Sequence, residues 1–190
     1  ENTTAGFSIV TYTGTGSATT IGHGLGKTPK VVLAKGRSNT DDWLLFNSDM
    51  NESKTLWLNT TDSVKSQSTY YPIFWNNTDP TSSVVHIGIN AAINGSSDTH
   101  IAWCFAEIKG YSKFGLYTGN GSTDGTFVYT GFKPAWIMIK RTSDGGNDFI
   151  VIDTTRFTSN VITNYIRANT SDAETDQYDI DEDILSNRFK

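Results

Sequence analysis

Two stretches decide the fold: Pro29-Lys30-Val31-Val32-Leu33-Ala34-Lys35 and Pro134-Ala135-Trp136-Ile137-Met138-Ile139-Lys140. Each is a proline followed by an apolar, partly β-branched run ending in lysine. Such a run, bounded by a residue that cannot donate to a sheet ladder, predicts a buried strand. The two are also the same stretch twice. Working outward, Gly6-Phe7-Ser8 matches Gly110-Tyr111-Ser112, and Tyr12–Ser17 matches Tyr117–Ser122. Downstream, Asp42–Phe46 matches Asp148–Ile152, and Asn59–Asp62 matches Asn169–Asp172. The offset drifts only from 104 to 110 residues and the order never changes. Colinearity of this kind is the mark of an internal duplication.

The expected architecture is all-β: an antiparallel β-sandwich, jelly-roll-like, built from two tandem homologous halves, 1–109 and 110–190. Composition agrees. Thr, Ser, Asn and Gly together make up about two-fifths of the 190 residues, aromatics are plentiful, and good helix formers are scarce. Thr and aromatic residues favour half-buried strands; Gly, Asn and Ser favour turns. Strands are predicted near Phe7–Thr13, Lys30–Lys35, Trp43–Phe46, Thr55–Leu58, Val84–Ile89 and His100–Glu107. In the second half they are predicted near Phe114–Thr118, Phe127–Thr130, Ala135–Arg141, Phe149–Asp153 and Ile184–Phe189, with Val161–Ala168 read as strand rather than helix. No linker separates the halves, which predicts close coupling.

The second half stops short. Ile184–Lys190 aligns with Val84–Asn90, so nothing in it corresponds to Thr99–Glu107. A sandwich missing a strand exposes an edge. Ile184, Leu185 and Phe189 are therefore the expected assembly edge. That edge is expected to be closed by continuation of the chain beyond Lys190 or by a neighbouring subunit, with a homo-oligomer as the biological unit.

Charge and chemistry exclude more than they assign. The net charge is −5 and only 18% of residues are charged, which argues against nucleic acid or an anionic membrane as partner. One cysteine, Cys104, forms no internal disulfide framework. No catalytic constellation emerges: His23 lies in the flexible-looking Gly22–Gly26 loop, His86 and His100 lie in predicted strands, and Cys104 reads as a small core residue. Asp42 and Asp148 occupy equivalent positions, which fits a turn or cap better than one active site. No cofactor or metal ligand set is expected. The acidic segment Asp172–Asp183 carries seven carboxylates but lacks the spaced calcium-loop pattern with its central glycine. Trp43, Trp103 and Trp136 read as core. Trp75, beside Tyr70, Tyr71 and Pro72 in polar surroundings, reads as an exposed aromatic able to stack on a sugar or partner.

The repeated motifs also resemble a known family. Tyr117-Thr118-Gly119-Asn120-Gly121, then Phe132-Lys133-Pro134-Ala135-Trp136-Ile137-Met138-Ile139-Lys140-Arg141, resembles a module of structural proteins in tailed bacteriophages. Ile101-Ala102-Trp103-Cys104-Phe105-Ala106-Glu107 is similar to that module's closing strand. The resemblance spans nearly the whole chain and implies a concanavalin A-like or similar sandwich in a tail fibre, tail-associated or capsid-surface protein. It implies a location on the virion, copies of the chain itself and other virion proteins as partners, and a possible contact with host glycan. The alternatives are a secreted carbohydrate-binding module or adhesin, and a β-sandwich glycosidase or depolymerase.

Overall fold

The structure, a computed structural model, describes residues 1–50, 54–66, 73–157, 159–176 and 181–190. The elements run β1 (Phe7–Thr13), β2 (Thr19–Gly22), β3 (Val31–Gly36), β4 (Leu44–Asn47), a 3-10 turn (Ser48–Met50), β5 (Lys54–Trp57), β6 (Lys65–Ser66), β7 (Val84–Ile87), α1 (Ala91–Asn94) and β8 (Thr99–Phe105). They continue with β9 (Val128–Tyr129), β10 (Trp136–Lys140), β11 (Phe149–Asp153), β12 (Ile166–Arg167), β13 (Ile184–Leu185) and β14 (Arg188–Phe189). All strand pairs are antiparallel. The chain is all-β and sandwich-like.

Four sheets are stacked through three apolar layers. The largest sheet has the order β1-β8-β3-β4-β5-β6; the others are β2-β7, β10-β11-β12 and β13-β14-β9. Strand alternation sends Val32, Ala34, Leu44, Phe46, Ala102 and Cys104 to one face of the large sheet, where β2, β7 and α1 cover them with Ile21, Val85, Ile87 and Ile93. Its other face carries Leu45 and Leu56, which meet Phe149 and Met138 from β11 and β10. The opposite faces of β10 and β11 present Ile137, Ile139, Ile150 and Ile152 to Ile184 and Phe189. β4 therefore reads Leu-Leu-Phe with no polar alternation, because both of its faces are covered.

The matched sequence blocks occupy matched ladder positions. Val31 pairs with Asn47 and Ala34 with Leu44; Trp136 pairs with Asp153 and Ile139 with Ile150. Leu45 pairs with Leu56, and Val151 with Ile166. The hydrogen bonds beyond the ladder match as well. Ser48 N–H donates to the Lys30 carbonyl at 2.9 Å and Thr154 N–H to the Ala135 carbonyl at 3.0 Å. Asn59 accepts from Trp43 N–H (2.9 Å) and donates to the Asp42 carboxylate (2.8 Å). Asn169 does the same for Phe149 N–H (2.7 Å) and Asp148 (2.8 Å). One asparagine side chain thus fixes the entry of each hairpin strand, and the two aspartates serve as its acceptors. Replacing Asn59 or Asn169 with alanine is expected to cost about 0.5–1.5 kcal/mol each, with the larger loss at the less exposed Asn169. Urea midpoints equal to the parent protein in both variants would remove this account.

Four local expectations need correction. Phe114–Thr118 is not a strand. Its counterpart in the first half, β1, pairs with β8 alone, and among the described residues no second-half strand plays the part of β8. A strand without a ladder partner leaves its backbone groups to water, so the segment stays irregular. Ile184–Phe189 is not one strand but the hairpin β13–β14, turned at Ser186-Asn187. Within Val161–Ala168 only Ile166–Arg167 forms a strand, with isolated bridges at Ile162 and Tyr165. The loop around His23 is continuous with β2, a strand that composition alone did not mark.

Candidate interaction surface

His23, His100 and Cys104 are buried, and neither ring nitrogen of His100 has a hydrogen-bond partner among the described residues. His23 is buried, with Nε2 3.1 Å from the Thr81 carbonyl and Nδ1 accepting from Leu25 N–H at 3.2 Å. Its loop is pinned by these two bonds rather than flexible, and both ring nitrogens are spent. His100 is buried against Tyr12, ring centroids 5.2 Å apart, and burial lowers its pKa and keeps it neutral. The Tyr12 hydroxyl donates to the Ile93 carbonyl at 2.7 Å. Burial pushes the Cys104 thiol up to about 12, so the thiolate a nucleophile needs does not form near neutrality. His86 is half-buried in β7 opposite Thr20. Asp42 and Asp148 each hold an asparagine, as described above.

Two tryptophans exchange the places expected of them. Trp75 is only 1% exposed and lies in the main core, its ring edge-on to Phe46 at 5.6 Å. The reading of Trp75 as an exposed contact is therefore corrected. The polar residues beside it build a turn, with Asn76 and Asn77 at φ 54 and 48. Main-chain bonds from Gly88 and Asn90 to Phe74 and Ile73 then fold the ring under the sheet. Tyr70 and Tyr71 lie outside the described residues. Trp136, expected in the core, is 57% exposed. Trp43 and Trp103 stack on one another at 5.2 Å, both partly exposed.

The expected assembly edge moves too. Ile184 is buried among Ile137, Ile152, Ile162 and Tyr165, and β14 is paired on both sides, by β13 and β9. Phe189 in β14 is thus not at an edge, whereas β13, with Ile184 and Leu185, keeps an unpaired outer side whose Ile184 side chain is buried. Among the described residues, the edge strands of the two second-half sheets are β9 and β13, and β10 and β12.

Exposed apolar side chains gather in the same half. Among the described residues, Tyr111, Leu116, Tyr117, Phe127, Tyr129 and Trp136 are all exposed, whereas the first half exposes only Ile9 and Ile89 of this kind. Several are linked: Tyr117 meets Phe189 edge-on at 6.2 Å, and the Arg188 guanidinium sits 4.7 Å over the Phe127 ring. Near the junction of the halves, Phe7, Phe105, Tyr111 and Phe114 line a hollow of about 300 Å³. A surface apolar patch of this kind marks a contact site more often than chance exposure does.

Two carboxylates of the acidic segment form ion pairs. Glu174 pairs with Arg156 at 2.8 Å and Asp172 with Arg167 at 3.6 Å. No cluster of three or more metal-ligating side chains occurs among the described residues. Glu182 lies in the same segment. Burial, with Asp183 beside it, pushes its carboxyl up to about 7. A carboxyl whose folded pKa lies above its unfolded value favours folding below that unfolded value. Stability is lost as pH rises from about 4.5 through about 7. Glu182→Gln should therefore stabilise the protein at pH 8 by about 1–2 kcal/mol, after discounting for partial exposure, and change nothing at pH 4. Equal unfolding midpoints for the two proteins at pH 8 would contradict this.

Comparison with known proteins adds the family and little else. No curated protein and no solved structure matches the chain. A family model described as a domain of unknown function, DUF7483, matches residues 1–190, and the chain belongs to that family.

Proposed function

We propose that this chain is a non-catalytic structural module on the surface of a tailed-bacteriophage particle, in a tail fibre, a tail-associated protein or a capsid decoration, and that it works by contact. The observation that carries the reading is the division of labour between residue types. Histidine, cysteine and hairpin aspartates are absorbed by packing and capping, while aromatic and apolar side chains are left outward on the second half beside unpaired strand edges. The motif resemblance supports the particle, and the shared register of β3–β4–β5 and β10–β11–β12 supports descent of both halves from one unit. Contacts of this sort act in multiples, so the working form is a homo-oligomer whose weak single contacts add through effective concentration. Light scattering of the purified chain, with mass spectrometry of purified particles, tests this. A persistent monomer absent from particles overturns it, as does turnover of a polysaccharide.

A glycan-binding module is the second reading, favoured by the exposed indole of Trp136 and the exposed ring of Tyr129. Aromatic faces stack on pyranose rings, so binding on a glycan array that Trp136→Ala abolishes would select it.

A further inference from the structure

The two halves differ in one strand, and the surroundings of that strand show what it does. In the first half β8 lies between β1 and β3. In the second half β10 corresponds to β3 and Phe114–Thr118 to Ile9–Thr13 of β1, and no described strand lies between them. Three consequences coincide. The outer side of β10 is unpaired. Trp136 is 57% exposed where Val31 is half-buried, because Val31 faces Phe105 of β8 and Trp136 faces nothing comparable. The glycines around the strand lose their neighbours.

That third observation is the most specific. A Cβ on Gly6 would lie 2.6 Å from the Ala106 carbonyl oxygen. One on Gly14 would collide with the Gly95 carbonyl and sit 2.8 Å from His100 Nε2. Ala106, which limits Gly6, follows β8 directly; Gly14 is limited first by the Gly95 carbonyl at the end of α1, with His100 of β8 beside it. The matched Gly110 and Gly119 have nothing within 4 Å of the same point. Gly110 has a left-handed backbone that explains it, at φ 78; Gly119 has none. The second half thus leaves open, along β10, the ladder side that β8 fills in the first half, and it leaves empty beside Gly110 and Gly119 the space that residues flanking β8 and the end of α1 fill there.

We propose that the second half binds an extended polypeptide segment of the β8 type, antiparallel to β10 on one side and ordering Phe114–Thr118 as a strand on its other side. The chemistry of the segment follows from the register. In the first half Ala102 and Cys104 face Ala34 and Val32 across the ladder and point into the core. In the second half those positions are held by the larger Ile139 and Ile137. The segment's inward residues must therefore be alanine-sized, while its outward residues, like Trp103 and Phe105, are bulky and cover Met138 and Trp136. Main-chain hydrogen bonds supply affinity and the alternate small residues supply selectivity, as in β-augmentation generally. This pairing does not depend on where the module sits on a particle.

The probe is a synthetic peptide of Thr99–Glu107 with Cys104→Ala, added to the intact chain and followed by calorimetry and amide hydrogen exchange. Saturable one-to-one binding is expected. Protection should rise at Trp136–Lys140 and at Phe114–Thr118, but not at Val128–Tyr129. In β8 the carbonyls of Thr99 and Phe105 face β3, where they accept from Arg37 and Lys30, while Ala106 N–H and the Asp98 carbonyl face β1. Odd positions thus face β3 and even positions β1. N-methylation at the peptide's position 103 should weaken binding at least about tenfold. N-methylation at position 102 should remove protection from Phe114–Thr118 while keeping it at Trp136–Lys140. Absence of saturable binding at millimolar peptide overturns the proposal. So does protection elsewhere, or protection of β10 that rises with protein concentration alone, which would mean that a second copy takes the edge.

Discussion

Trp75→Ala will lower the unfolding free energy by about 3–5 kcal/mol, the range for removing a large aromatic from a packed interior. The indole is almost completely buried and contacts Phe46, in a core that also includes Val32, Val85 and Ile87. The space it leaves is bounded by the sheet on one side and by main-chain bonds from Gly88 and Asn90 on the other, so the site cannot collapse cheaply. Set against a total stability of about 5–15 kcal/mol, such a loss is severe. Trp75→Phe should cost distinctly less. It keeps a ring against Phe46, and it removes an indole N–H that has no hydrogen-bond partner among the described residues. Urea titration followed by circular dichroism measures both. An unchanged midpoint for Trp75→Ala together with loss of a binding activity would return Trp75 to the surface role that its sequence neighbours imply.

The misplacement of Trp75 and Trp136 shows where sequence reasoning ends. The run Trp136–Lys140 is a strand as its pattern implies, and a strand pattern guarantees one buried face, but that face carries Ile137 and not the indole of Trp136 expected there. The pattern does not say whether the other face and the ladder edge are covered, since that depends on which strand lies alongside. The same ambiguity explains Phe114–Thr118: its local pattern suits a strand, yet a strand exists only in a pair. Trp75 failed for a different reason. Its polar surroundings imply solvent, whereas Asn76 and Asn77 adopt left-handed turn conformations that let the chain reverse and bury the ring before them. The colinear blocks were more informative than any single element, because Asn59 and Asn169 do the same hydrogen-bonding work at matched places. The candidate surface was not legible, because it is made of residues left uncovered by tertiary packing.

Phe149→Ala should show that the two halves are held as one stack while differing in robustness. Phe149 is buried on the face of β11 turned toward the first half, among Leu45, Met50 and Leu56, with Met138, Leu33 and Val64 around them. Its other side carries Lys140, whose ammonium lies 5.1 Å from the ring centroid and donates to the Asn147 carbonyl. Truncation removes the side chain that joins the large sheet to β10–β11 and is expected to cost about 3–5 kcal/mol. The loss will not be shared equally. The first half keeps its own large core between the main sheet and β2–β7, with β8 and β3 paired on both sides. The second half has a smaller core, and β10 is paired on one side only. Amide exchange in the variant should therefore accelerate more in β10 and β11 than in β3 and β8, since local opening follows the density of buried contacts. Equal acceleration in both halves would mean that the stack opens only as a whole. An unchanged exchange pattern would mean that the layer between the sheets contributes nothing to holding them.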